Sequence, residues 1–257
     1  HTGINSGSFA PQPKNFKMQE ENDLIDSQAS YAIPLNFELL SNSSLVAEHL
    51  VETVKRENKD HLEKIRPAKS LMTGFIGTAA LLPALSKNGY DALAYEVLQQ
   101  TSYPSWLYSV ENGATTIWER LNSYTKDEGF GGNNSMNSFN HYSFGAVGSW
   151  MYAYSLGIQP LAPGYKKILL TPRPDPTGKM KWASGYYDSS YGRIESEWKV
   201  EGDKTVYHFI IPPNTKAEVK ISCDQKDKIE FLNFTEDNIE SIEKEEGFQV
   251  LQLLSGE

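Results

Sequence analysis

Around residues 160–163 the hydrophobic rhythm of this chain changes period, and no single type of secondary structure can serve both sides of that point. Before it, apolar residues recur at intervals of three and four, as a helix needs to bury one face; after it they alternate with polar ones, as a half-buried strand needs. The stretch between, IQPLAPGYKKILLTPRPDP, carries five prolines and one short apolar run, which marks a boundary and a first strand.

On the helical side, DSQASYAIPLNFELL offers Asp26 as an acidic N-cap, and SSLVAEHLVETVKREN repeats the pattern with a Ser cap. AALLPALSKNG and YDALAYEVLQQT form a further pair closed at Gly89. HYSFGAVGSWMYAYSLG reads as the last helix, its Gly145, Ala146, Gly148 and Ser149 small enough to admit a neighbouring helix. Five or six helices in antiparallel pairs, with no strand between them, fit a bundle, a solenoid or part of an α/α toroid. On the other side KMKWASG, GRIESEWKVEG, KTVYHFIIP and KAEVKISC alternate, with Ile194, Ser196, Trp198 and Val200 on one face of their strand. Short strands at this spacing predict an antiparallel β-sandwich. The expected layout is a polar tail or loop over 1–25, a helical region over 26–160 and a sandwich over 161–257.

Composition removes several function classes. The formal net charge of −9 lacks the clustered Lys and Arg that nucleic-acid binding depends on. A lone cysteine, Cys223, excludes an internal disulfide and a cysteine-based metal site, and it reads as a quiet strand residue. His49, His61 and His208 have no mutual ligand spacing, so no metal is expected. No apolar run is long enough to span a membrane. HTGINSGSFAPQPKNF has neither the basic nor the apolar region of a secretory leader and does not read as a natural N-terminus; nothing marks a compartment. Asn133 and Asn233 begin weak glycosylation triplets, and Asp23 reads as a cap.

The densest cluster of unusual residues runs from Ser102 to Trp150, where Gly113, Gly129, Gly131 and Gly132 punctuate loops carrying Trp106, Trp118 and Phe139. Such loops are where small-molecule sites form. Glu119 follows Ile117 and Trp118, so its carboxylate emerges from an apolar stretch; desolvation beside rings makes a carboxylate a stronger base. An ion pair with Arg120 or a half-exposed helix end would be the structural alternative. His141 stands at the start of the last helix, with Ser138 or Asn140 to cap it, where a neutral imidazole can donate one hydrogen bond and accept another. Asp127 and Glu128 read as solvated.

The run TGFIGTAALLPALSKNGYDALAYEVLQQTSYPSWLYSVENGATTIWERLNS, followed by MNSFNHYSFGAVGSWMYAYSLGIQPLAPGYKKILLTPRP, closely resembles the bacterial α-L-rhamnosidases of glycoside hydrolase family 78. GATTIWER matches the motif that carries the family's catalytic base, and SFNHYSFGAVG the one with a substrate-contacting histidine. The resemblance implies the second half of an (α/α)6 barrel over 26–160, then a C-terminal β-sandwich. It implies hydrolysis of a terminal α-L-rhamnoside with inversion, Glu119 acting as general base, His141 and Trp118 binding the substrate, the first by holding a ring hydroxyl and the second while shielding the base, without metal or organic cofactor. The family's acidic motif, DCPxRDERxGW, has no counterpart in these residues. A chain without that half of the barrel is expected to be inactive alone and to pair through an exposed apolar face.

Two other readings remain open at this stage. One is a non-catalytic module whose sandwich presents Trp182, Trp198, Tyr186 and Tyr187 as a stacking platform for sugars. The other is a related toroid glycosidase or lyase acting on a different sugar.

Overall fold

The cap of the first helix shows why the helical part begins where it does. In the computed structural model, which describes residues 26–60, 62–131, 136–223, 230–231, 238–245 and 247–256, Ser27 is the N-cap of α1 (Gln28–Asn36). Its extended backbone (φ −137°, ψ 154°) lets its Oγ accept from the Ser30 amide, while the Ser30 hydroxyl oxygen accepts from the amide of Ser27. The cap is therefore one residue later than expected: Asp26 lies outside the helix, where it accepts from the Tyr31 hydroxyl and from Arg56 Nη2 (2.6 Å). A similar displacement holds for α2 (Ser43–Lys55), where Asn42 is the N-cap and Ser43 is already helical. The tail expected over 1–25, with Asp23, and both glycosylation triplets fall outside the described residues, as do His61 and Gly132.

Two compact units make up the described chain, one ending at Val147 and the other starting at Gly148. In the first, α1 and α2 pack with α3 (Phe75–Lys87), and α3 with α4 (Asp91–Leu98), burying Ala32, Leu50, Val54, Leu81, Leu85 and Tyr95, while α5 (Trp106–Glu111) follows with Trp106 buried. Helices α1 and α3 approach closely at Gly77, where an added Cβ would lie 2.8 Å from the Ala29 Cβ. Buried Gln28 ties α1 to the segment before α3, donating to the Ser70 carbonyl (3.0 Å) and accepting from the Met72 amide (2.9 Å).

The helical region does contain a strand pair, contrary to expectation: β1 (Asn58–Lys59) and β2 (Ile65–Arg66) form a short antiparallel hairpin. Its signal is a single side chain rather than a periodicity, because Asp60 Oδ1 accepts from the amides of Leu62 and Lys64 while Oδ2 accepts from the Arg66 guanidinium. The last helix also departs from a uniform α-helix. It opens as a 3₁₀ turn over Ser143–Ala146, passes through α6 (Val147–Trp150) and ends as a π turn over Met151–Ser155. Gly145 admits a loop side chain, not a helix: a Cβ there would lie 3.3 Å from Ile117 Cγ1, whereas one at Gly148 would meet nothing within 4 Å.

The second unit is built from two sheets. The strands β3 (Ile158–Pro160), β4 (Lys167–Leu170), β8 (Lys216–Ser222), β10 (Phe248–Leu253) and β9 (Ile239–Glu245) form one sheet in the order β3-β4-β8-β10-β9. The strands β5 (Trp182–Ser189), β6 (Gly192–Glu201) and β7 (Lys204–Ile210) form the other, an antiparallel meander. One pair, β4 with β8, is parallel, which a purely antiparallel expectation misses. A parallel pair needs a long crossover, and here the entire β5–β6–β7 sheet supplies it. Between the sheets Ile158, Ile168, Leu170, Ile194, Val219 and Leu251 form the core. Ile168, Leu170 and Ile194 are fully buried, which is worth about 1.5–3 kcal/mol for each side chain. Trp198, 0% exposed, also meets its polar need there, its Nε1 donating to the Ser155 carbonyl at 2.9 Å. Cys223 lies just past the end of β8 and donates its amide to the Gly247 carbonyl.

Gly157 joins the π turn to β3 with φ at +73°, and an added Cβ would lie 2.2 Å from the Pro172 nitrogen. Gly202 has a similar φ of +67° in open space. Gly202→Ala should therefore cost only the left-handed backbone penalty of about 1–2 kcal/mol. Gly157→Ala adds a backbone clash and should cost roughly 2–4 kcal/mol in urea unfolding; equal losses for the two variants would contradict this account. Burial pushes the Tyr207 hydroxyl up to about 12. Its folded-state value exceeds the ordinary one, so the stabilisation is complete below pH of about 10 and is lost as pH climbs toward 12. Tyr207→Phe should flatten that alkaline decline, as measured by Tm against pH.

Candidate active site

The candidate residues sit on two irregular segments that satisfy each other's backbone. Ser105 caps α5 by accepting from the Tyr108 amide, and Ser109 Oγ donates to the Leu121 carbonyl (2.7 Å), so the loop after α5 is fastened to the helix that launches it. Gly113, at φ +96°, turns the chain out of α5. The next residues run beside 138–141: the His141 amide donates to the Ile117 carbonyl and the Glu119 amide to the Ser138 carbonyl, both at 2.9 Å. Thr116 Oγ1 donates to the Phe139 carbonyl as well. This seam brings Glu119 and His141, distant in sequence, onto neighbouring strands of loop.

Trp118 is 6% exposed, so its ring is a packing element of the seam. It meets Phe139 edge-on at 5.2 Å, Phe139 meets Phe130, and Phe130 meets Tyr124, a chain of perpendicular ring contacts. Glu119 itself is only half-buried, and its Oε2 accepts from the Ser138 amide at 2.9 Å. That bond fixes the direction of the carboxylate by the opposite loop. The neighbouring Arg120 sends Nη2 to Asn137 Oδ1 (3.0 Å), binding its guanidinium to the same loop. Asp127 and Glu128 are exposed, as solvated loop residues should be.

His141 is held by two aromatic rings. Phe75, the first residue of α3, stacks on it at 4.6 Å and Tyr142 at 5.4 Å, nearly parallel. Sequence reasoning missed Phe75, since nothing local connects the start of α3 with a residue far downstream. It also misassigned the cap: Ser138 Oγ accepts from the Asn140 amide, and it is His141 Nδ1 that accepts from the Ser143 amide at the start of the 3₁₀ turn (3.3 Å). With Nδ1 as acceptor, the ring hydrogen belongs on Nε2, which becomes a donor toward a ligand.

The stacking platform considered for the sandwich does not form as a set. Trp198 is sealed in the core, and alternation along β5 puts the 62%-exposed Trp182 and Tyr186 on the outer face, while Tyr187 turns to the ring of Tyr165 at 4.6 Å. Among the described residues no group of three His, Cys, Asp or Glu could hold a metal, and no helix is long and apolar enough to cross a membrane.

Helical hairpins followed by a two-sheet β unit are what a hairpin glycosidase domain with a C-terminal β domain presents, and two family models match this chain in that order. Residues 14–155 match the bacterial alpha-L-rhamnosidase 6 hairpin glycosidase domain, and residues 157–231 match the bacterial alpha-L-rhamnosidase C-terminal domain. The chain belongs to the bacterial α-L-rhamnosidase family. It is 40% identical over 223 residues to an alpha-L-rhamnosidase of Formosa agariphila, a match covering 86% of this chain and 23% of the relative. With an alpha-L-rhamnosidase of Streptomyces avermitilis it shares 35% identity over 233 residues, 90% of this chain and 21% of that one. The crystal structure of the Streptomyces avermitilis alpha-L-rhamnosidase complexed with L-rhamnose superimposes with a TM-score of 0.73 at 34% identity, over 90% of this chain and 21% of that one. The chain thus spans under a quarter of these relatives' length.

The Ser143 contact predicts the Nε2–H tautomer for neutral His141, observable in long-range ¹H–¹⁵N correlation of the imidazole. A dominant Nδ1–H form would be incompatible with that contact.

Proposed function

We propose that this chain supplies the water-activating side of an inverting α-L-rhamnosidase. In this reading the helical residues 26–160 form the second half of a six-hairpin barrel and residues 161–257 a C-terminal β-sandwich. The observation that carries it is the seam, because it sets a carboxylate and an imidazole on adjacent loops and fixes one atom of each by a backbone amide: Ser138 to Glu119 Oε2, Ser143 to His141 Nδ1. Oε1 of Glu119 is then the oxygen assigned to water, which it deprotonates as the water attacks the anomeric carbon.

Inverting hydrolysis needs a second carboxyl group about 6.5–9.5 Å away to protonate the leaving oxygen. We assign that acid to a part of the barrel outside these residues. His141 Nε2 donates to a hydroxyl of the sugar, and Trp118, packed beneath the seam, keeps the base loop in register rather than stacking on substrate. The exposed apolar side chains Leu45, Ile76 and Tyr142 belong, in this proposal, to the surface that the rest of the barrel covers.

In the complete enzyme, Glu119→Gln should lower kcat for an aryl α-L-rhamnoside by roughly a hundred- to ten-thousandfold while changing KM little. Near-wild-type turnover would remove the base assignment. The isolated chain should release no p-nitrophenol and should self-associate with rising concentration in sedimentation velocity; a monomeric, active chain would overturn the division of the site.

A further inference from the structure

Outside the seam, an open cleft of about 560 Å³ lies wholly in the β unit, between the 160–165 loop and the turn joining β5 to β6. Its volume suits a small ligand of one or two rings. We propose that this cleft is a second saccharide-binding site, separate from the catalytic loops, that takes a neutral sugar residue.

The lining has the two components such a ligand needs. Tyr165 and Tyr187 bring their rings together at 4.6 Å and 37°, an apolar surface for the C–H face of a pyranose. Asp188 and the turn serines Ser189 and Ser190 stand at the same cleft and offer hydroxyl partners. Asp188 is aimed in advance: Arg193 Nε donates to its Oδ1 at 2.9 Å and Nη2 to its Oδ2 at 3.4 Å, while the guanidinium rests over the Tyr186 ring at 3.8 Å. A carboxylate held by one guanidinium retains lone pairs for sugar hydroxyls. Ser189 is equally fixed, donating to the Gly192 carbonyl and accepting from the Tyr191 amide.

The backbone supplies an independent indication. Gly164 and Tyr165 both adopt left-handed φ, +66° and +65°, a conformation that costs a bulky residue about 1–2 kcal/mol. Strain of this kind persists where surrounding structure imposes it and clusters at ligand clamps. Here it turns the Tyr165 ring toward Tyr187 and into the cleft, where burial raises the phenol above its ordinary value.

The choice of rhamnose as probe rests on the glycosidase reading above, whereas the site itself does not. The test is a calorimetric and NMR titration of the 257-residue chain carrying His141→Ala, so that the catalytic loops are disabled, with L-rhamnose and methyl α-L-rhamnoside. Saturable binding with a Kd in the millimolar range is expected, weakened roughly tenfold by Asp188→Asn and by Tyr187→Ala. Ser190→Trp, at an exposed turn position, should abolish it by filling the cleft, and it keeps the test valid if Tyr187→Ala fails to fold. Binding indifferent to Asp188→Asn and Ser190→Trp, or no saturable signal at about 50 mM sugar, would overturn the proposal. Failure here leaves Glu119 untouched, since its role is read from turnover of the complete enzyme.

Discussion

Irregular backbone can hold a fixed geometry only if its amides and carbonyls find partners, and in the helical unit the loops of the site find them in each other. The bonds from His141 to Ile117 and from Glu119 to Ser138 do for these loops what a ladder does for a sheet. What stands around the seam follows from it: Trp118 and Phe139 pack because the segments run side by side, and Ile117 reaches Gly145 because the loop passes beneath the 3₁₀ turn. Ser109 on α5 and Phe75 on α3 then anchor the pair to helices buried on their other faces.

The β unit depends on a different constraint, the entry of the chain through Gly157. Backbone of the 171–172 segment passes so close to this position that a side chain has no room, which lets β3 and β4 pair directly after the last helical turn. Ser196 and Trp198 of β6 then donate to the carbonyls of Leu156 and Ser155, at the end of the irregular π turn. The buried polar atoms of one sheet thus close the end of the helix that precedes it.

Much of the candidate site was legible as a candidate because its residues are chemically unusual for where they stand. A glutamate directly after Ile-Trp, and a histidine among Asn, Tyr and Ser before a small-residue run, differ from ordinary solvated charges, and the order of the surrounding residues carried the resemblance to a rhamnosidase. What held these groups was not legible. Phe75 stacks on His141, Ser138 orients Glu119, and Asn137 takes Arg120, each across a sequence gap that no periodicity spans. The caps shifted for a related reason: Asp26, Ser27 and Ser43 are all competent cap residues, and only the extended backbone angles of Ser27 and Asn42 choose between them.

By itself, then, the sequence determined the helical side, the strands β5 to β8 and the face of β6 that is buried, because hydrophobic period is a local property and burial of one face follows from it. Tertiary structure alone decided that β4 and β8 run parallel, that Trp198 is core while Trp182 is surface, and that Gly145 of the last helix receives a loop side chain. Those outcomes depend on which distant segments share space. Strand direction across a long crossover and the partner of a glycine are set by the packing of the whole unit, a quantity that no window of neighbouring residues contains.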